Sequence, residues 1–157
     1  MLDLFSQQQF RVNEVELVYK SNDNPKNQIV ICNPDLAYEV LKSDWDMNRI
    51  ELLEQFKIIL LNRNHTCLGI SEISTGGMAG CIVDPKIVFA TALKAKAPII
   101  MLAHNHPSGN LVPSKQDIDL TKKLVLGGKL LDIAVIEHLI VTKHGYTSMA
   151  HKGYFPG

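Results

Sequence analysis

From Val12 the stretch RVNEVELVYK, residues 11 to 20, alternates apolar and polar side chains, the period of a half-buried strand. The SNDNPKN behind it has the composition of a loop, and a short apolar run, QIVIC, follows. The period then changes. In NPDLAYEVLKSDWD, Leu36, Val40 and Leu41 recur at helical spacing, Asn33 can cap and Pro34 suits the first helical position, so a helix starts there. LLEQFKIILL, Leu52 to Leu61, is rich in apolar residues, turns at NRN and resumes as CLGISEIS, which predicts an antiparallel hairpin ended by Thr75-Gly76-Gly77. Asp84-Pro85 repeats the cap-then-proline signal, and Ile87, Val88, Ala92 and Ala95 place a helix over about residues 85 to 96. PIIMLA is uniformly apolar over strand length, as a strand covered on both faces would be, so helices must flank its sheet. Ser114 opens a helix through DIDLTKKLVL that is expected to stop at Gly127-Gly128, and IAVIEHLIVT makes a further apolar strand. The order is that of a mixed α/β domain whose central strand runs straight into HNHPSGNLVPSKQD, residues 104 to 117.

Length and composition narrow the class. The 157 residues fit one domain, and 46% hydrophobic with 20% charged residues is the make-up of a folded chain. Lys plus Arg equals Asp plus Glu at 16 each, so no global field draws the chain to a polyanion, and a nucleic-acid role would need a local basic patch. Cys32, Cys67 and Cys81 are far apart and form no C-x-x-C, which argues against a disulfide framework or a thiolate zinc site and predicts buried free thiols. Neither a secretion signal nor about 18 consecutive apolar residues is present, so no membrane role is expected and the cytoplasm is the expected location.

Chemistry concentrates at residues 104 to 117. Side chains two apart on an extended strand share a face, so His104 and His106 can present both imidazoles to one point. The loop PSGNLVP reverses the chain, and Asp117 falls in the first turn of the next helix, where it can complete a set of two histidines and a carboxylate, an accepted arrangement for catalytic zinc. The same residues have a structural reading. SKQD fits the capping box [ST]-x-x-[DE], and an isolated histidine pair is more often hydrogen-bonded packing than a ligand set. The two are compatible, since Ser114 can cap and also face a metal. The combination H-x-H-x7-S-x2-D favours the metal. Asn105 and Ser108 are expected to hold the loop by side-chain hydrogen bonds, with Gly109 supplying a positive φ. His138, in IEHLIV, reads first as a hydrogen-bonded strand residue and second as a group facing the site; His65, His144 and His151 read as surface.

Glu54, followed by His104, His106, Ser114 and Asp117, matches the JAMM motif of MPN+ metalloproteases, and HNHPSG with PS-x-x-D resembles its RadC branch. EQFKIILLN, the STGG turn, DPKIVFATALKAKAPIIMLAHNHPSG and EHLIVT recur in this order in RadC-type domains, so the resemblance covers about residues 34 to 150. It implies a JAB/MPN-like α/β fold, a cytidine-deaminase-like three-layer arrangement with a central mixed β-sheet flanked by helices. That domain would span residues 34–157, with residues 1–33 a strand-rich extension packed on it. It further implies that His104, His106 and Asp117 bind Zn2+, that Glu54 is the general base and that Ser114 stabilises the oxyanion, in hydrolysis of an amide or isopeptide bond of a peptide or protein. The residues alone leave Glu51, Glu54 and Glu72 open; alignment through EQF selects Glu54, at the edge of a core, and leaves Glu51 and Glu72 as solvated.

RadC proteins often carry a helix-hairpin-helix region with no counterpart here, so the chain resembles a short stand-alone form. A DNA-repair accessory role with a structural or vestigial metal is the second expectation, weakened by that absence and by the neutral charge. A zinc nucleotide deaminase would need H-x-E and P-C-x-x-C, which the sequence lacks.

Overall fold

The computed structural model describes residues 13–16, 18 and 28–157. The strand expected over 11–20 is absent from its described part: residues 13–16 are irregular and exposed, with Val15 90% accessible, and the rest lies outside the described residues. Of QIVIC, only Val30 makes a β-bridge, to Thr66.

The elements in chain order are α1 (Pro34–Asp44), β1 (Gln55–Leu61), β2 (Cys67–Thr75), α2 (Pro85–Lys94), β3 (Ile99–Asn105), α3 (Lys115–Leu130), β4 (Ala134–Thr142) and β5 (Gly145–Ser148). The three helix starts form as the caps predict. The Asn33 side chain accepts from the Leu36 N–H at 2.8 Å, Asp84 accepts from the Lys86 N–H at 2.9 Å, and Ser114 caps α3. β1 starts later than the apolar run suggests, because Leu52 and Leu53 both bond back to the Arg49 carbonyl in a turn.

The strands form one five-stranded mixed sheet in the order β2-β1-β3-β4-β5. β1 pairs antiparallel with β2 and β3, β3 pairs parallel with β4 through the α3 crossover, and β5 returns antiparallel to β4. Alternate residues of the central strands feed two cores. Phe56, Ile58, Ile100 and Leu102 pack with Val88 and Phe89 of α2 and Leu124 and Val125 of α3, while Ile59, Leu61, Met101 and Ala103 pack with Ala37, Tyr38 and Leu41 of α1. Three layers result, helices on both faces of the sheet, as the JAB-like fold requires. Each of these fully buried aliphatic side chains contributes about 1.5–3 kcal/mol.

Two further expectations are corrected. α3 does not stop at Gly127-Gly128 but continues to Leu130. Here the glycines allow close approach: a Cβ on Gly127 would meet the Phe89 ring at 2.9 Å, and one on Gly128 would meet the Ile133 carbonyl oxygen at 2.3 Å. The cysteines are free thiols, as expected, but not buried ones: Cys32 is exposed, and Cys67 and Cys81 are half-buried.

Candidate metal centre

β3 delivers the first donor. Its even-numbered residues face α2 and α3, so His104 follows Ile100 and Leu102 onto that side and is 1% exposed. His106 lies just past the strand, yet its N–H still bonds to the Val141 carbonyl at 3.2 Å, which keeps the backbone extended far enough for the two imidazoles to converge. Their Nε2 atoms stand 2.9 Å apart. The following loop turns at Gly109, with φ of 80°, and the Ser108 hydroxyl accepts from the Asn110 N–H at 3.2 Å. The turn aims the Asn110 carbonyl at Nδ1 of His106, 2.6 Å away. A carbonyl only accepts, so His106 carries a proton on Nδ1, and Nε2 is the ring nitrogen turned to Asp117.

The start of α3 brings the third donor. Ser114 and Asp117 form a complete capping box, the Ser114 oxygen accepting from the Asp117 N–H at 3.1 Å and Asp117 Oδ2 from the Ser114 N–H at 2.7 Å. The same carboxylate places Oδ1 3.2 Å from His104 Nε2 and Oδ2 3.3 Å from His106 Nε2. The structural and the metal reading of S-x-x-D therefore coexist. All three donor atoms lie within 4.8 Å of one another. Ligand atoms about 2.0–2.1 Å from a tetrahedral zinc stand about 3.4 Å apart, so the observed spacings fit such an ion with little adjustment. The group of two imidazoles and one carboxylate could hold a metal ion.

The electrostatics suit that use. Burial pushes the Asp117 carboxyl up, but hydrogen bonds with His104 and His106 and the Ser114 N–H outweigh it and hold the group well below the usual carboxylate range, as an anion. Hydrogen bonding to Asp117 raises the His106 pKa. His138, fully buried on β4, is held well below the ordinary imidazole value by burial first and by neighbouring His104 second, so it is neutral. Its Nε2 lies 2.8 Å from His104 Nδ1, and its Nδ1 lies 2.6 Å from the Thr121 hydroxyl. His138 is thus both the hydrogen-bonded strand residue and the group behind the site. Thr121 escaped the reading of the sequence, although its signal is there: it follows Asp117 by four residues and shares its helix face.

Glu54, half-buried, immediately precedes β1 on the same side as Phe56, which pairs with His104. Its backbone is fixed by the Gly77 carbonyl and the Gly76 N–H, at 3.0 and 2.9 Å. Asn105 holds this same segment rather than its own loop: its side chain accepts from the Gln55 N–H and donates to the Ile50 and Leu53 carbonyls. Glu54, His104, His106, Ser114 and Asp117 all line one open cleft of about 510 Å³. Cys81 lines it too, its thiol 3.8 Å from Glu54 Oε1. The other two glutamates are engaged elsewhere: exposed Glu51 pairs with Lys143, and exposed Glu72 bonds the Gln55 amide. His144 and His151 are exposed and His65 is half-buried in a turn, so none joins the site.

A three-layer α/β domain with an imidazole-imidazole-carboxylate group at the rim of its sheet is the class that the fold and site define. The family model of the RadC-like JAB domain matches residues 31–154, and the chain belongs to that family. A UPF0758 protein of Symbiobacterium thermophilum is 35% identical over 143 residues, covering 91% of this chain and 60% of the relative. UPF0758 proteins of Thermosynechococcus vestitus and Alkaliphilus metalliredigens are 38% and 46% identical, each over 80% of this chain and over 49% and 53% of their own lengths. The chain spans about half to three-fifths of the curated relatives it matches. Among the described residues no helix is long and apolar enough to cross a membrane.

Proposed function

We propose that the chain is a zinc-dependent metallopeptidase or isopeptidase of the JAMM type, acting on a peptide or protein substrate in the cytoplasm. The observation that carries the reading is the convergence of three donor atoms with Glu54 and Ser114 in a single open cleft. His104, His106 and Asp117 would hold the ion, which when bound supplies a Lewis acid that lowers the pKa of water at its open position. Glu54 takes a proton from the attacking water and returns it to the leaving amine. The Ser114 oxygen already accepts from the Asp117 N–H, which leaves its hydroxyl proton free to donate to the carbonyl oxygen as charge develops there. An extended peptide would add to β2, one of the two edge strands of the sheet. The free thiols suit a reducing compartment.

The test is zinc content of the wild type against His104→Ala and Asp117→Asn, with a peptide-library cleavage screen that includes Glu54→Gln. We expect zinc in the wild type and in Glu54→Gln, none in the two ligand variants, and cleavage at least about 100-fold slower in Glu54→Gln. Full zinc in both ligand variants would refute the ligand set. A zinc-loaded chain that cleaves nothing and binds DNA in a salt-sensitive way would favour the accessory role instead.

A further inference from the structure

We infer that Thr121 and His138 are positioning residues that set the ring tautomer of His104 and so aim its lone pair at the metal point. The inference rests on the metal reading above and adds residues to it.

The direction of each proton follows from the partners alone. The Thr121 hydroxyl oxygen stands 2.6 Å from the Asp117 backbone carbonyl oxygen and 2.6 Å from His138 Nδ1. Two oxygens at that distance need a proton between them, and a carbonyl has none, so the hydroxyl donates to Asp117. Its only proton is then spent. The contact with His138 must be made by the Nδ1–H of that ring, and a neutral imidazole carries a single ring proton, so His138 Nε2 is a bare acceptor. It faces His104 Nδ1 at 2.8 Å, which must donate. His104 therefore carries a proton on Nδ1, and its Nε2 faces Asp117 and His106, 3.2 and 2.9 Å away.

The chain closes on itself. It begins at the backbone of Asp117 and ends, two side chains later, at the imidazole facing the carboxylate of Asp117. His106 reaches the same state separately, through the Asn110 carbonyl. Both ligand imidazoles thereby carry a proton on Nδ1 before any ion arrives, and Nε2 is the atom of each ring that meets the carboxylate, through a shared proton in the metal-free chain and through the ion when one is bound. His138 is 0% exposed and Thr121 is 0% exposed, so no water competes for these bonds. Phe56 packs edge-on against His138, with centroids 5.5 Å apart, and stacks on His104 at 6.3 Å, which limits ring rotation.

The experiment reads tautomers directly, by nitrogen NMR of the histidine-labelled chain stripped of metal, alongside zinc affinity by competition with a chelating dye. In the wild type we expect a proton on Nδ1 of His104, of His106 and of His138. Thr121→Val keeps the volume and removes the hydroxyl; we expect it to lose the Nδ1–H signature at His138 and His104, keep it at His106, and bind zinc about 10–100-fold more weakly. Thr121→Ser restores the hydroxyl and should restore both readouts. A purely packing role for Thr121 would shift the melting temperature and leave the tautomers in place. A His104 ring without a proton on Nδ1 in the wild-type chain, or Thr121→Val with wild-type tautomers and affinity, would overturn the inference. The two readings fail separately: a wild-type chain that binds no zinc removes the metal, whereas the tautomers of the stripped chain judge the relay.

Discussion

His104 and Asn105 are neighbours on β3, point to opposite faces of the sheet, and use their polar atoms in opposite ways. The Asn105 side chain ends on backbone groups, the Gln55 N–H and the Ile50 and Leu53 carbonyls. On the same face of the sheet Glu137 of β4, beside Met101, also stays within the fold, accepting from the His138 and Ala150 N–H groups and the Ser148 hydroxyl. On the other face His104 and His138 bond to each other, and His104 leaves a nitrogen aimed at the open cleft. A buried polar group that finishes on the main chain holds the fold. A buried polar chain that finishes at a cleft still has a group to offer a ligand.

Substitutions on the two faces should separate stability from metal binding, and they rank by their effect on unfolding of the metal-free chain. Asn105→Ala strands three backbone groups, two of them in buried bonds and one in a part-buried bond, and at about 1–3 kcal/mol for each the expected loss is about 4 kcal/mol in urea unfolding. Glu137→Gln places an amide N–H₂ where three donors converge; the expected loss is about 2 kcal/mol, with zinc affinity unchanged in the chelator competition. His106→Ala, at the rim, should cost no more than about 1 kcal/mol in the same unfolding experiment and yet abolish zinc binding. If Glu137→Gln weakened zinc binding as much as His106→Ala, the division between the faces would fail.

The smallest effect concerns the thiol beside the proposed base. Burial, and then the Glu54 charge, push Cys81 up to about 11, so at pH 8 it is protonated and unreactive. Alkylation mapped by mass spectrometry should modify exposed Cys32 well before Cys81, and raising the pH toward 11 should close the gap. Glu54→Gln removes a negative neighbour, lowers the thiol's pKa and should speed modification of Cys81 at pH 8. An unchanged rate would mean that Glu54 does not face this part of the cleft.

The parts of this molecule that could be read from the sequence are those fixed by local chemistry. Asn33-Pro34, Asp84-Pro85 and Ser114 announce helix starts because a cap needs only its own next turn, and PIIMLA announces a covered strand because both its faces are apolar. His104, His106 and Asp117 were visible for the same reason, one strand end and one helix start joined by a short loop. What depended on distant packing was hidden. The glycines of α3 looked like a stop signal because the residues that crowd them, Phe89 and Ile133, come from outside the helix. Glu54 could not be told from Glu51 or Glu72 by periodicity, since what distinguishes it is the anchoring of its backbone to Gly76 and Gly77 and its opening on the cleft. Thr121 and His138 meet only because α3 lies against β4. The expected strand at 11–20 shows the converse, an alternating pattern whose described residues are exposed.

Those two glycines also tie the far end of α3 to the site. At about 1.5 Å per residue, Gly128 sits about 16 Å along the axis from Asp117, and it lets the helix rest directly on the Ile133 carbonyl. A methyl group added at Gly128 would have to push aside either that carbonyl or the helix itself, and a helix pushed aside takes the carboxylate at its other tip with it.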